Sequence, residues 1–174
     1  LLWSQLYLYR IIVDDKYGAD VLGVIAVSLA VTTAIFSAIE NILIQYYYPI
    51  FLKEIHDSTK HARTRAWNRM AKKVIPIYFL TVFFMLAMSK SLIGILVDEK
   101  FHYAYVFTLV AVGLEFFRVM TNLLNYALQT EYKTKLAIMP YLTGVMFTLT
   151  SLIFIDFSQN YEAIVWVLVI GGAC

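Results

Sequence analysis

The sequence has few of the residues that build covalent and metal-dependent sites. Its 174 residues include one cysteine, Cys174, so no disulfide within the chain and no cysteine-based metal centre is possible. The three histidines, His56, His61 and His102, do not cluster, and no HExxH, CxxC, GxSxG or glycine-rich phosphate loop occurs. We therefore predict that the protein is not an enzyme and that it uses no metal and no cofactor.

Charged residues are also scarce, at 15% of the chain, whereas hydrophobic residues make up 61% and the mean hydropathy is +0.71. Ordinary soluble domains are roughly 45–50% apolar, and a soluble fold of this length could not bury the excess. The net charge of +2 gives no indication of a nucleic-acid partner. The composition predicts an all-α, polytopic membrane protein.

Apolar runs separated by polar turns predict five to six membrane-spanning helices within a single membrane domain over 1–174. A spanning helix needs about 20 mostly apolar residues. The chain opens and stops inside apolar runs, so we interpret it as a fragment whose two end helices are cut. The predicted helices cover about 1–13, 21–52, 74–97, 103–130, 136–155 and 162 onward.

The distribution of lysine and arginine predicts the orientation. The segment 53–73 holds seven of them and 131–135 holds two, whereas the other turns hold only Lys16 and Lys100 among acidic residues. The positive-inside rule places both basic segments in the cytoplasm, and we predict the cell inner (plasma) membrane as the location. The segment 53–73 is predicted as a solvated cytoplasmic loop or an amphipathic surface helix on anionic headgroups. The apolar anchors of such a helix would be Ile55, Trp67, Met70 and Val74.

One predicted spanning helix carries a polar stripe. Its five polar residues are separated by three, four, three and four positions, so they fall within about 80° of one helix face. A charge at bilayer depth costs roughly 2.5–3.5 kcal/mol. A structural ion pair would explain the two charged residues, and the whole stripe indicates a water-filled cavity or a polar helix–helix seam. The stripe consists of Glu115, Arg118, Asn122, Asn125 and Gln129.

Two other predicted helices carry polar groups at membrane depth. In the second, Glu40 shares one side with Thr33, Ser37 and Tyr48, and Asn41 and Gln45 flank that side. In the first, Arg10 lies close enough to the outer end for its side chain to reach the surface. The third and fifth helices are nearly free of charge, so the pattern favours a bundle around an off-centre polar cavity.

Four local patterns follow one another along the chain: YRIIVDDKYGADVLG (9–23), YYYPIF (46–51), SLIGILVDEKFHYAYVF (91–107) and NYALQTEYKTKLAI (125–138). In this order they resemble the C-terminal half of polysaccharide flippases of the O-antigen type. These belong to the multidrug/oligosaccharidyl-lipid/polysaccharide exporter superfamily, and the resemblance covers nearly the whole chain. It departs at Tyr9, where family members often have an acidic residue, and at Ile25, where they often have tyrosine.

The resemblance implies helices seven to twelve of a twelve-helix transporter whose N-terminal half is the missing partner. Such a transporter moves undecaprenyl-pyrophosphate-linked oligosaccharide across the membrane by alternating access, with membrane lipids around it. Arg10 and Arg118 would then attract the pyrophosphate or acidic sugars, because arginine suits phosphate oxygens. The amides of Asn122, Asn125 and Gln129 would bond sugar hydroxyls. Glu40 and Glu115 would hold the arginines or take part in proton or sodium coupling.

Three alternatives stay open at this point. A drug/cation antiporter of the same superfamily would use Glu40 and Glu115 as cation sites. A membrane-embedded polysaccharide polymerase or glycosyltransferase would need a large charged outer loop, and the outer turns here are short. A structural membrane subunit would use the polar stripe only for packing.

Overall fold

The computed structural model describes residues 2–55, 60–130, 138–154 and 162–173, and these ranges contain helices and no strand. The all-α prediction is therefore confirmed for the described chain. The predicted basic turn at 131–135 lies outside these residues. The helices are α1 (Leu2–Tyr17), α2 (Ala19–Ile55), α3 (Lys60–Leu96), α4 (Ala104–Thr130), α5 (Ile138–Phe154) and α6 (Glu162–Ala173), with a 3-10 turn at Glu99–Phe101.

Three helices are long and apolar enough to cross a membrane. They are Ala19–Ile55, His61–Leu96 and Ala104–Gln129, with mean hydropathies of 2.2, 2.0 and 1.5 over their most apolar windows. This finding fits the predicted membrane helix bundle, whereas the count of five to six spans stays a prediction. At a rise of about 1.5 Å per residue, α2 and α3 each measure about 55 Å, well beyond a hydrocarbon core of about 30 Å. Both are therefore longer than a helix needs to be to cross a bilayer.

The turn between α1 and α2 is shorter than the seven-residue hinge that the sequence predicts over 14–20. Helix α1 continues to Tyr17, and only Gly18 leaves the helical conformation, with φ of 85°. The left-handed region costs glycine little because glycine has no Cβ. The Gly18 N–H still donates to the Asp14 carbonyl at 3.0 Å, which closes the last turn of α1. Polar residues alone do not end a helix, so the break is confined to the glycine.

The basic segment 53–73 is helical over both of its described parts, since 53–55 end α2 and 60–73 form the first turns of α3. The solvated-loop interpretation is wrong for these residues, because the helix runs on without interruption through Pro76 to Leu96. The equally long α2 packs beside α3 and gives this stretch an apolar partner.

The proposed lipid anchors of that segment face protein. Met70 and Val74 are 4% and 0% exposed in an apolar cluster shared with α2 and α4. The indole Nε1–H of Trp67 donates to the Leu123 carbonyl of α4 at 3.1 Å. Met70 and Val74 therefore hold α3 against its neighbours, and the prediction that they insert among headgroups is corrected. Ile55 is partly buried beside the same cluster.

The described core consists of two apolar clusters, which divide the bundle along its length. The first joins α1, α5 and α6 to the first halves of α2 and α4 and includes Val13, Ile25 and Ile164. The second joins α3 to the later halves of α2 and α4 and includes Phe36 and Tyr78. Helices α2 and α4 contribute to both clusters, so their contact runs through the centre of the described molecule.

Candidate functional site

The predicted polar stripe lies on α4, which is helical without a break from Ala104 to Thr130. Since the five stripe residues repeat at helical spacing, an uninterrupted helix is all that is required to align them. The charged part of the stripe faces α2. Glu40 of α2 lies opposite Arg118, and the two residues are 78 positions apart in the chain.

Arg118 is bonded on three of its nitrogens. Its Nε donates to Glu115 Oε2 at 2.7 Å, and one terminal nitrogen donates to Glu40 Oε2 at 2.8 Å. The other terminal nitrogen donates to Ser37 Oγ at 3.2 Å. The planar guanidinium therefore joins a carboxylate of its own helix to a carboxylate and a hydroxyl of α2. Its donors point in fixed directions, so one arginine can bond several acceptors at once.

The two carboxylates have partners on their remaining oxygens as well. The Thr33 hydroxyl donates to Glu115 Oε1 at 2.6 Å, and the Asn122 side-chain amide donates to Glu40 Oε1 at 2.8 Å. All four carboxylate oxygens therefore accept a hydrogen bond. We call Thr33, Ser37, Glu40, Glu115, Arg118 and Asn122 the polar cluster.

The two carboxylates of the polar cluster are buried, and the cluster has more negative than positive groups. Glu115 is 2% exposed and Glu40 is 8% exposed, whereas the Arg118 side chain keeps 22% of its surface accessible. Removing an ion from water costs several kcal/mol, which explains why each charged group here is paired and hydrogen-bonded. When both carboxylates are ionised, two negative charges face one positive charge, so the cluster carries one negative charge in excess.

The structure therefore brings together four of the seven predicted site residues: Glu40, Glu115, Arg118 and Asn122. Of the two interpretations of the stripe, the polar helix–helix seam describes this part of it. Arg118 is held between α2 and α4, and a substrate phosphate would have to displace one of its present partners. Sequence reasoning had placed Glu40 and Arg118 on separate polar faces, because nothing local encodes which helices meet.

The other three predicted residues lie apart from the polar cluster or at its edge. On α4, Asn125 is half-buried and Gln129 is exposed. Arg10 is exposed on α1, and its guanidinium carbon lies 6.0 Å from the centroid of the Tyr9 ring. Tyr9 packs in the first apolar cluster, whereas Val119, next to Arg118, packs in the second.

An exposed face of α2 adds two polar residues that sequence reasoning had treated only as flanking. Asn41 and Gln45 are exposed, and they continue a row of exposed alanines at Ala30, Ala34 and Ala38. The spacing of four, four, three and four puts the five residues on one side of the helix. The spacing of these residues could have identified the face from the sequence. The alanines made it hard to recognise, because alanine occurs on both buried and exposed helix faces.

The packing of α3 shows which faces of α2 and α4 are covered by a third helix. Leu43 of α2 and Leu123 of α4 pack with α3 in the second apolar cluster. At about 100° per residue, Asn41 and Gln45 lie about 160° from Leu43, and Thr121 and Asn125 lie about 160° from Leu123. These four residues therefore lie on the faces of α2 and α4 that turn away from Leu43 and Leu123. We call this set of exposed or half-buried polar residues the open groove.

Along α2, the open groove lies between Glu40 of the polar cluster and the basic C-terminal end of the helix. Asn41 directly follows Glu40 in the chain, and it lies about 9 Å along α2 from Tyr47, counted at 1.5 Å per residue. Thr121 and Asn125 are each half-buried. The groove combines amide and hydroxyl groups with the partly accessible guanidinium of Arg118, a set of donors and acceptors suited to hydroxyl-rich or phosphorylated ligands. Among the described residues, no group of three or more His, Cys, Asp or Glu side chains could hold a metal ion.

Comparison of the chain with protein-family models, with curated proteins and with solved structures finds no match. The resemblance to polysaccharide flippases stays a prediction from the sequence. What is known of the site is the geometry of its own residues.

Proposed function

We propose that this chain is part of a membrane transporter for lipid-linked oligosaccharide, corresponding to the C-terminal half of a flippase. The observation that carries the proposal is the open groove, a row of exposed or half-buried amides beside a buried charge cluster, on two helices long enough to span the membrane. Amides facing lipid are unfavourable, so such a face favours water or a polar ligand.

The chemistry of the substrate class fits these groups. The sugar hydroxyls of a lipid-linked oligosaccharide need donors and acceptors, which Asn41, Gln45, Asn125 and Gln129 provide. The pyrophosphate needs cations, for which Arg118 and Arg10 are the candidates, whereas the lipid tail stays in the bilayer. The outward apolar face of α3, with Leu80 and Phe83 each 67% exposed, suits that tail or the surrounding lipid.

Within this proposal, the polar cluster is a conformational lock on α2 and α4. Arg118 contacts Glu40 across the helices, so the two helices separate only when that pair is broken. A pyrophosphate group offers oxygens that replace those of Glu40 on the guanidinium. Substrate binding and helix separation are then coupled, as alternating access requires. Glu40 and Glu115 support the arginine and are the candidates for ion coupling.

The experiment that tests the proposal replaces Arg118 with Ala and with Lys in the full-length protein. We expect both variants to reach the membrane, to accumulate lipid-linked precursor in the inner leaflet and to lose surface polysaccharide. The matched control is Phe83→Ala, which alters an exposed apolar side chain far from the groove. Normal surface polysaccharide in both Arg118 variants would refute the assigned role.

A second candidate function, a structural membrane subunit, is favoured by one observation. All three nitrogens of Arg118 already have partners, so the polar cluster needs no ligand to be satisfied. The two functions differ in the open groove, which a structural subunit would cover with another helix. Water-soluble thiol reagents distinguish them, because they reach a cysteine in a hydrated groove and miss one in a covered seam.

A further inference from the structure

A second site lies at the basic end of α2 and α3, outside the polar cluster and the open groove. Both helices have 37 residues; α2 ends at Ile55 and α3 begins at Lys60. Between them is a shallow, open cleft lined by four residues from each helix. Its floor is apolar, because Phe51, Ala66 and Met70 are only 2%, 4% and 4% exposed. Ile50, 42% exposed, forms an apolar wall beside this floor.

The rim of the cleft is cationic. Arg69 and Lys73 are one helical turn apart, so they line the same side of α3 and repel one another. The carboxylate of Glu54 contacts Arg69 at 2.9 Å, and the Lys73 ammonium lies 5.6 Å from the centroid of the Tyr47 ring. One carboxylate against two cations leaves an excess positive charge at the rim. The Arg69 side chain is 64% exposed, so it can bind a further acceptor.

The cleft sits where a lipid headgroup would lie. Three consecutive tyrosines, Tyr46 to Tyr48, mark this level of α2, and interfacial aromatic residues are typical of the headgroup region. A soluble anion would be satisfied by the two cations alone. An anionic lipid would also use the apolar floor and the Ile50 wall, because it joins a phosphate to hydrocarbon chains.

We propose that this cleft binds the headgroup of an anionic phospholipid. Arg69 and Lys73 donate to the phosphate oxygens, and Ile50 contacts the first carbons of an acyl chain above the floor. The bound lipid neutralises the repulsion between the two cations and ties the projecting ends of α2 and α3 to the membrane surface. The proposal is independent of the transport function.

The test measures phospholipid binding to the full chain, purified in detergent and stripped of lipid, by native mass spectrometry. The probe is phosphatidylglycerol, with phosphatidylcholine as the uncharged comparison. The double variant Arg69→Gln and Lys73→Gln removes the cationic rim, and we expect it to weaken phosphatidylglycerol binding by about tenfold or more. The matched control is Arg65→Gln with Lys72→Gln, which removes the same charge from exposed positions of the same helix outside the cleft. We expect the control to change binding by no more than about threefold.

A further variant tests the geometry in the opposite direction. Glu54→Gln releases Arg69 from its carboxylate partner, so we expect phosphatidylglycerol to bind more tightly. Equal losses in the two double variants, or weaker binding in Glu54→Gln, would overturn the site in favour of a diffuse basic surface. Displacement of the lipid by inorganic phosphate at matched concentration would identify a free anion as the ligand. Phosphatidylcholine binding as tightly would show apolar adsorption only, and either result would also refute the proposal.

Discussion

The contact between α2 and α4 and the contact between α5 and α6 hold helices together by opposite means. Between α2 and α4, a partly accessible guanidinium is bonded to two buried carboxylates and a hydroxyl. Between α5 and α6, small residues let the backbones approach so closely that a Cβ on Gly171 would clash with Thr148 Oγ1. Lipid is as apolar as leucine, so membrane helices associate through polar bonds and close packing. This chain uses one device in each contact.

The two contacts, α2–α4 and α5–α6, differ in whether their partners can be exchanged. Close packing around a glycine has no alternative partner to exchange, so the α5–α6 contact is either made or lost. A hydrogen-bonded ion cluster can exchange partners, because a carboxylate, a phosphate or water satisfies the same guanidinium. The α2–α4 contact is therefore the one suited to reversible opening, and it is the one beside the open groove.

The largest expected effect comes from removing Arg118 alone. Arg118→Ala leaves the buried carboxylates of Glu40 and Glu115 without their shared cation, and we expect a loss of about 3–5 kcal/mol in the free energy of unfolding. The measurement is reversible unfolding of the reconstituted chain. The double variant Glu115→Ala with Arg118→Ala removes one of those carboxylates as well and should recover part of that loss. A double variant less stable than the single one would contradict the buried ion pair.

The next effect tests the hydroxyl of Thr33, which donates to the Glu115 carboxylate. Thr33→Val keeps the shape and removes the donor, so we expect a loss of about 1.5–3 kcal/mol, the range for hydrogen bonds to charged groups. The control is Thr81→Val on α3, because the Thr81 hydroxyl bonds only the Ile77 carbonyl of its own helix. Similar losses in the two variants would show that the Thr33 bond to Glu115 has no special weight.

A smaller effect is expected at the glycine contact. Gly171→Ala places a methyl group against Thr148 Oγ1 and 3.0 Å from the Gly144 carbonyl oxygen. Overpacking of this kind costs about 1–3 kcal/mol, measured as the free energy of unfolding. Adding Thr148→Ala should relieve part of the clash. Gly94→Ala is the control, because nothing lies within 4 Å of its added Cβ; an equal loss there would remove the argument for close packing.

Single cysteines in a Cys174→Ser background are expected to change stability least. They test directly how accessible each position is to water. We expect a water-soluble maleimide to label Asn41→Cys and Gln45→Cys rapidly. Phe83→Cys, exposed on the apolar side of α3, should label slowly because lipid excludes the reagent. The readout is the labelling rate in membranes. Equal rates at positions 41 and 83 would show that the open groove is not hydrated.

Much of the helical layout was predictable, and the exceptions have physical causes. The stripe on α4 followed from spacing alone, and the predicted bounds of that helix, 103–130, agree with Ala104–Thr130. The basic segment 53–73 had two interpretations, a solvated loop and a surface helix, because its charges suit both. Its apolar face, with Ala66, Met70 and Val74, is buried in the structure against α2 and α4.

The candidate site was predictable in composition and not in arrangement. Glu115 and Arg118 are three residues apart, so helix geometry alone placed them together. The partnership of Arg118 with Glu40, and the exposure of Asn41 beside it, depend on which helices meet and on which side α3 packs. Arg10 illustrates the same limit, because its predicted role rested on a resemblance, and its nearest recorded ring contact is with the adjacent Tyr9.

The residue order alone predicts that the described chain is helical and apolar enough for a membrane, since hydropathy and helical period are local properties of consecutive residues. It also predicts the polar face of α4. The packing of the helices was needed to show that this face contacts Glu40 and Ser37 of α2, that Asn41 and Gln45 stay exposed, and that Arg69 and Lys73 border an apolar cleft. Such contacts join residues many positions apart, and the helical period of one segment does not specify its neighbour.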